Sequence, residues 1–143
     1  VNFAEVDAII GSSGDDTINI VDTTSADINL GLGNDTVTGA TGITDFIVYT
    51  TFADAVADGV GNGAETITNF EAGIDQLDIT AFAVGNFFYN GAGAFSGGGT
   101  ASSRFVNGTE SLEIDIDGDS NADLEIVMNG IVDTDLAVGD FAF

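Results

Sequence analysis

The sequence contains no cysteine, histidine, proline or tryptophan, and Arg104 is its single basic residue. Without cysteine the chain has no disulfides, iron–sulfur clusters or thiol nucleophile, and without histidine a conventional zinc site is not expected either. The absence of proline fits closely paired strands, whose ladder hydrogen bonds proline would interrupt. There is no HExxH motif and no nucleophile–base pair, so we predict that this segment is not itself an enzyme.

The charge is strongly one-sided. Against one basic residue stand 24 acidic ones, which gives a net charge of −23 and self-repulsion that compaction makes worse. Bound divalent cations would reduce this repulsion. Nucleic acid and anionic membranes are not expected as partners, because one arginine cannot neutralise their phosphates. No apolar run approaches the roughly 20 residues that a bilayer requires, so we predict no membrane insertion.

Length and hydropathy indicate a folded protein. The chain has 143 residues, 44% of them hydrophobic, which is enough for one domain with a real core. Glycine occurs 20 times, well above its usual share. We therefore predict a single all-β domain over residues 1–143. Val1 in place of methionine suggests a fragment or a processed product.

Two copies of a glycine–aspartate turn, each followed by a β-branched run, lie within residues 11–45. The nine-residue pattern G-G-x-G-x-D-x-U-x, in which U is large and apolar, is matched by Gly11, Gly14, Asp16 and Ile18 and again by Gly31, Gly33, Asp35 and Val37. Glycines bring backbone carbonyl oxygens together, and the aspartate adds a carboxylate to them. Such a cluster of oxygen donors suits Ca²⁺.

The spacing of the aspartates tests the repeat. Turns on the same side of a roll are two repeats apart, so aspartates that share ions should be about 18 residues apart. Asp16 and Asp35 are 19 apart (35 − 16), and Asp27 and Asp45 are 18 apart (45 − 27). The alternative is a set of ordinary surface turns, in which Asp and Gly are common. The calcium ligands predicted here are Gly11, Ser13, Gly14, Asp16, Asp27, Gly31, Gly33, Asp35, Gly42 and Asp45.

These repeats and the stretches that follow them resemble the C-terminal part of RTX (haemolysin-type calcium-binding) proteins, including that of serralysin-type proteases. The resemblance extends to DFIVYTTFADA, GNGAETITNFEAGIDQLDITAF, LEIDIDGDSNADLEIVMNG and the ending GDFAF. It implies a short parallel β-roll over residues 1–45, capped by a C-terminal β-sandwich or hairpin region over 46–143. It also implies several Ca²⁺ ions and a type I secretion signal within 136–143.

Further ligands are expected in the cap. Gly63 and Glu65 repeat the glycine–acid–Thr–apolar order of the first turns, and the resemblance assigns calcium to the turn with Asp75 and Asp78. Solvated turn acids are the alternative there.

The stretch 117–123 begins like an EF-hand. However, Ala122 stands where that loop needs glycine and Met128 where it needs glutamate, so an EF-hand is rejected. The oxygen-rich loop predicts either a weaker or structural cation site at Asp117, Asp119 and Asp123 or a solvated turn without an ion.

Local patterns predict the secondary structure. Short strands are expected at 17–21, 27–30, 35–38 and 46–49, a hairpin at 112–116 and 124–128, a helical turn at 53–57 and a loop at 90–103. Residues 1–10 suit either a helix face or a first turn of the roll, and we favour the latter. Arg104 is expected either in an ion pair or exposed.

The functional expectation is a calcium-binding module that folds on meeting extracellular calcium and supports type I secretion of its parent protein. Its partners would be calcium and the secretion machinery, and its location secreted or on the bacterial cell surface. The alternative is a structural subunit or module of a calcium-stabilised extracellular layer, adhesin or fibre, which self-associates through β edges.

Overall fold

The structure is a computed structural model that describes residues 2–3, 8–21, 25–49, 65–81 and 86–143. Its strands are β1 (Asn2–Phe3), β2 (Ala8–Ile10), β3 (Thr17–Ile20), β4 (Asp27–Asn29), β5 (Thr36–Thr38), β6 (Phe46–Val48), β7 (Glu65–Thr68), β8 (Gln76–Asp78), β9 (Phe88–Tyr89), β10 (Ser102–Val106), β11 (Ser111–Asp115), β12 (Leu124–Asn129) and β13 (Phe141–Ala142). A single 3-10 turn, Val138–Asp140, is the only helical element in these ranges. None of the described segments forms a helix long and apolar enough to cross a bilayer.

The strands form two sheets. The large sheet has the order β1-β3-β5-β7-β12-β11-β10-β9, and the small sheet has the order β13-β8-β6-β4-β2. From β1 to β8, successive strands alternate between the two sheets, and each pairs in parallel with the strand two places earlier. This winding is a β-roll, so the predicted all-β roll with a hairpin cap is confirmed.

The core of the roll consists of two facing columns of aliphatic side chains. Short strands in a roll have room for one inward side chain, and here the central residue of each is buried. The column on the small sheet is Ile9, Ile28, Ile47 and Leu77, and the column on the large sheet is Ile18, Val37 and Ile67. Burial of each such side chain contributes roughly 1.5–3 kcal/mol, which a three-residue strand obtains only by stacking.

The parallel stacking continues beyond residue 45, the predicted end of the repeats. β6 pairs with β4, β8 pairs with β6, and the last strand, β13, pairs with β8. On the large sheet β12 lies parallel to β7 and leads into the antiparallel strands β11 and β10. The predicted hairpin is therefore a direct extension of the large sheet.

The N-terminal residues contribute the first turn of the roll, with one strand in each sheet. β1 pairs with β3 and β2 pairs with β4, so the strand interpretation of these residues is confirmed over the helix. In the predicted loop 90–103 the chain makes turns before β10 begins at Ser102. The predicted helical turn at 53–57 lies outside the described residues.

Candidate metal centre

A column of acids marks the starts of the strands in the large sheet. Asp16 and Asp35 directly precede β3 and β5, and Glu65 begins β7. The Asp16 N–H donates to Asp35 Oδ1 at 2.7 Å across 19 positions, and the Asp35 N–H donates to Glu65 Oε2 at 3.0 Å across 30 positions. Asp35 and Glu65 are buried. The carboxylates of Asp35 and Glu65 thus each hold the backbone of the turn stacked before them, whereas Asp16 Oδ2 accepts the Ser12 N–H of its own turn.

The two nonapeptide turns stack closely. The Leu32 N–H donates to the Ser12 carbonyl oxygen at 3.1 Å, and the Asn34 N–H donates to Asp15 Oδ1 at 3.0 Å. A Cβ atom on Gly31 would lie 2.1 Å from the Ser12 carbonyl oxygen, and φ at Gly31 is +87°. Only glycine fits this contact. Ser13 and Gly14 are both exposed in the first turn.

The small sheet carries a second, similar column. Asp45 precedes β6 and Asp75 precedes β8, and both are buried. The Asp45 N–H donates to Asp75 Oδ1 at 2.9 Å, and the Glu71 N–H donates to Asp75 Oδ2 at 2.7 Å. Glu71 in turn accepts the N–H of Gly42, a predicted ligand position. The turns at 40–45 and 71–75 are therefore joined through carboxylates.

Burial and repulsion between the carboxylates raise the pKa values of Asp45 and Asp75. Burial raises the pKa of Asp75 to about 6, and the negative charges of Asp45 and Glu71 add to the shift against the hydrogen bonds that it accepts. Burial, assisted by Glu71, also raises the pKa of Asp45. A positive charge at this position would relieve both penalties.

One oxygen of this group has no partner. Asp45 Oδ2 accepts the Ala40 N–H at 2.8 Å, but buried Oδ1 has no hydrogen bond with any described residue. A buried carboxylate oxygen without a hydrogen bond is unfavourable unless a cation binds it. Since the nearby acids Glu71 and Asp75 are also oxygen donors, the residues present fit a hard divalent cation such as Ca²⁺.

Two predicted ligands are not brought into these columns. Asp27 is exposed and lies opposite Phe46, so buried Ala26 is the residue that lines up with Asp45. The 18-residue series was wrong because the register repeats at 19 residues. Asp78 lies at the far end of β8 from Asp75, where Oδ1 accepts the N–H and hydroxyl of Thr80. Gly63 lies outside the described residues.

The hairpin loop is organised by an acid that the sequence analysis missed. Asp115 is fully buried and accepts the N–H groups of Gly118, Asp119 and Ser120 at 2.7, 3.2 and 2.9 Å. Together with Asp117 and Asp123 it forms the single group of three carboxylates, among the described residues, whose oxygens lie within 4.8 Å of one another.

The remaining predicted ligand of this loop lies outside that group. Asp119 is exposed and accepts from Asn121, and these hydrogen bonds lower its pKa.

Glu71, Asp115 and Asp140 were all missed as site residues. Glu71 follows an aromatic residue and precedes a turn, and Asp115 alternates with apolar residues as a surface position would. Asp140 lies within the predicted export signal 136–143, and the structure buries it. Of these three acids, only Asp140 could have been found from the sequence. In the sequence Gly-Asp-Phe it directly precedes a strand, as the acids of the earlier turns do.

Arg104 forms an ion pair with Glu113, with Nε and Oε2 2.7 Å apart. Its guanidinium also lies 4.7 Å from the centroid of the Phe95 ring. The ion pair is partly exposed, and its cation lies on β10, away from the acid columns.

The fold resembles that of a solved module. The solution structure of the AlgE6R3 subunit from the Azotobacter vinelandii mannuronan C5-epimerase superposes with a TM-score of 0.52 at 18% identity, over 96% of this chain and 78% of that one. At this identity the likeness concerns the fold alone. No curated protein sequence matches the chain significantly.

The family relationship follows from the sequence itself. The model of the family described as Peptidase M10 serralysin C terminal matches residues 2–141, nearly the whole chain. This confirms the resemblance to RTX proteins that the repeats indicated. The family is the repeat region of serralysin and not its catalytic part. The chain accordingly belongs to the serralysin C-terminal family, and it is a β-roll module of the calcium-binding RTX type.

Proposed function

We propose that this chain is a calcium-dependent folding module, which stays open where calcium is scarce and folds where calcium is abundant. The observation that carries the proposal is the set of buried acids. Within the described residues these are Asp35, Asp45, Glu65, Asp75, Asp115 and Asp140. The single basic side chain of the chain is paired with Glu113, so no lysine or arginine remains to pair with these acids.

Buried carboxylates without counter-charge oppose folding. Moving an ionised carboxylate out of water costs several kcal/mol per group, even after relaxation, and backbone N–H donors offset only part of it. Bound calcium supplies the missing charge. At free calcium of about 100 times the dissociation constant, each site would stabilise the fold by roughly 2.7 kcal/mol. A few sites would therefore reach the whole stability of a typical domain.

Three groups of residues would hold the ions. Asp16, Asp35 and Glu65, with the carbonyl oxygens of the turns at 11–16 and 31–35, would serve the large sheet. Asp45, Glu71 and Asp75 would serve the small sheet, and Asp115, Asp117 and Asp123 the hairpin. Calcium suits them better than magnesium, because it accepts an irregular shell of six to eight oxygens.

Calcium-dependent folding suits a protein that is exported before it folds. The family is that of serralysin C-terminal repeats, which implies a secreted parent protein. We propose that residues 1–143 act as one unit: the unfolded chain passes a type I exporter that reads residues 136–143, and extracellular calcium then folds it. Support for the second step is that β13 pairs with β8 and that Leu136, Asp140 and Phe141 are buried, so segment 136–143 is fully exposed only before folding.

Circular dichroism against calcium tests the proposal. In excess chelator the chain should lack stable β-structure, and millimolar calcium should restore it, whereas equal magnesium should restore much less. A native β spectrum in chelator, or an equal response to both cations, would contradict the proposal.

A second candidate is a structural subunit of a calcium-stabilised extracellular layer or fibre. One observation favours it: β2 is an edge strand of the small sheet, and Ile10 on it is 79% exposed. Such an edge can pair with another chain. Sedimentation velocity with and without calcium separates the two candidates, because growth in particle size supports the subunit and a calcium-loaded monomer excludes it.

A further inference from the structure

We infer that Asp140 is a positioning residue that couples the C-terminal segment 137–142 to the acidic turn 71–75. The acidic turn is the turn at residues 71–75 that contains Glu71 and Asp75. The inference rests on the proposed function, since it concerns how that turn is held for a cation. The observation that carries it is a carboxylate joining two segments that are 67 positions apart.

Asp140 is fully engaged by backbone donors. Oδ1 accepts the N–H of Gly73 at 2.5 Å, and Oδ2 accepts the N–H of Ala137 at 2.6 Å. The side chain is only 2% exposed. Gly73, which lies between the acids Glu71 and Asp75, has φ of +79°. Asp140 therefore fixes the middle of the acidic turn in a left-handed conformation while its own oxygens are occupied.

The rest of segment 137–142 lies alongside β8 and is hydrogen-bonded to it. Gln76 Nε2 donates to the Gly139 carbonyl oxygen at 3.2 Å, and the Ile79 N–H donates to the Ala142 carbonyl oxygen at 2.9 Å. Phe141 lies opposite Leu77, and its ring is 5.4 Å from that of Phe87. The segment cannot leave without releasing Gly73.

The acidic turn carries Glu71 and Asp75, two of the three acids proposed to hold a cation on the small sheet. The third, Asp45, has a buried Oδ1 without a hydrogen bond to any described residue. A cation gathers these acids only if the turn is ordered. Because coupling between two equilibria is reciprocal, docking of the segment raises cation affinity, and the cation equally stabilises docking. Asp140 acts through the turn and not as a ligand.

Calcium titration of the full chain tests this with two single variants. Asp140→Ala should raise the calcium midpoint at least about 5-fold, the lower end of usual coupling. Asp135→Ala is the matched control: it removes the same charge from an exposed residue whose carboxylate accepts only the nearby Val132 N–H. It should change the midpoint less than twofold.

A double-mutant cycle separates coupling from a merely structural role. In an Asp75→Asn background the effect of Asp140→Ala on the midpoint should largely vanish, whereas a general loss of stability would add in full. Equal midpoints for Asp140→Ala and Asp135→Ala, in a chain that still responds to calcium, would overturn the inference alone. A wild-type chain with no calcium response would overturn it together with the proposed function.

Hydrogen exchange on the wild type keeps the test independent of whether the variants fold. Near the folding midpoint, calcium should slow exchange of the Gly73 and Ile79 amides, which donate to the segment. Exchange at these amides that is unaffected by saturating calcium would also overturn the inference.

Discussion

Asp35 and Asp27 are both aspartates beside short strands, but their surroundings differ. Asp35 is buried and accepts the Asp16 N–H, while Asp27 is exposed opposite Phe46. Asp35→Ala should raise the calcium midpoint several-fold, because one charged donor is lost from a shared shell. Asp27→Ala removes the same charge and should change it little.

A calcium titration followed by circular dichroism measures both midpoints. Equal shifts at the two positions would show that total charge governs folding, and the assignment of the large-sheet column as ligands would have to be withdrawn.

Asp75 should make folding without calcium depend on pH. Its pKa is raised from 3.8 to about 6 in the folded chain. The stability that its protonated form contributes is therefore fully present below about pH 4 and is lost as the pH rises through 6. In excess chelator, acidification from pH 7 to 5 should increase the folded fraction.

Asp75→Asn mimics the protonated acid, so it should weaken the pH dependence in this window. Asp27→Asn provides the exposed control and should leave the dependence intact. A wild-type slope in Asp75→Asn, measured by circular dichroism, would count against this account.

Which acidic residues could be predicted from the sequence depended on the register of the strands. Asp16, Asp35, Asp45 and Asp75 all precede strands. Asp16 and Asp35 were predicted from the glycine–acid–apolar order, Asp45 from its spacing to Asp27, and Asp75 from the family resemblance. The spacing of 18 that predicted Asp27 is one residue short of the observed register of 19, and a shift of one residue exchanges buried and exposed positions.

The hairpin depends on Asp115 as its internal acceptor. This buried carboxylate accepts three backbone N–H groups of the loop that joins β11 and β12. Asp115→Ala leaves these donors without a partner, and we expect a loss of about 2 kcal/mol in the free energy of unfolding.

Asp119 in the same loop is exposed, so Asp119→Ala should lower the free energy of unfolding much less than Asp115→Ala does. Urea unfolding at saturating calcium measures both values. A result in which Asp119→Ala is the more harmful change would show that the loop is held by its outer acids.

Elements were easier to predict than ligands. The strands from Thr17, Asp27 and Phe46 and the hairpin were predicted within one or two residues, because β-branched residues alternate there between glycine-rich turns. The extension of the roll past residue 45 was not predicted, since β7 and β8 pair across 30 positions and no fixed period reveals them. The return of β13 to the small sheet also lacked a local signal.

The whole chain must overcome a net charge of −23, and simple screening can be distinguished from binding. Salt at about 1 M shortens the Debye length to about 3 Å and weakens repulsion between exposed charges, but it screens buried groups much less. In chelator, 1 M NaCl should therefore restore less β-structure than millimolar calcium at low ionic strength. Equal spectra under the two conditions would indicate that screening alone folds the chain.

The way the two sheets end has a consequence for how this kind of module can change length. Beyond β7 and β8 the next places in the sheets are taken by β12 and β13, so a further pair of turns there would displace strands from the far end of the chain. Between β3 and β6 each sheet advances by one strand per 19 residues. A duplicated unit of that length has neighbours of matching register on both sides, and so duplication within the repeats is the route by which such a roll can lengthen.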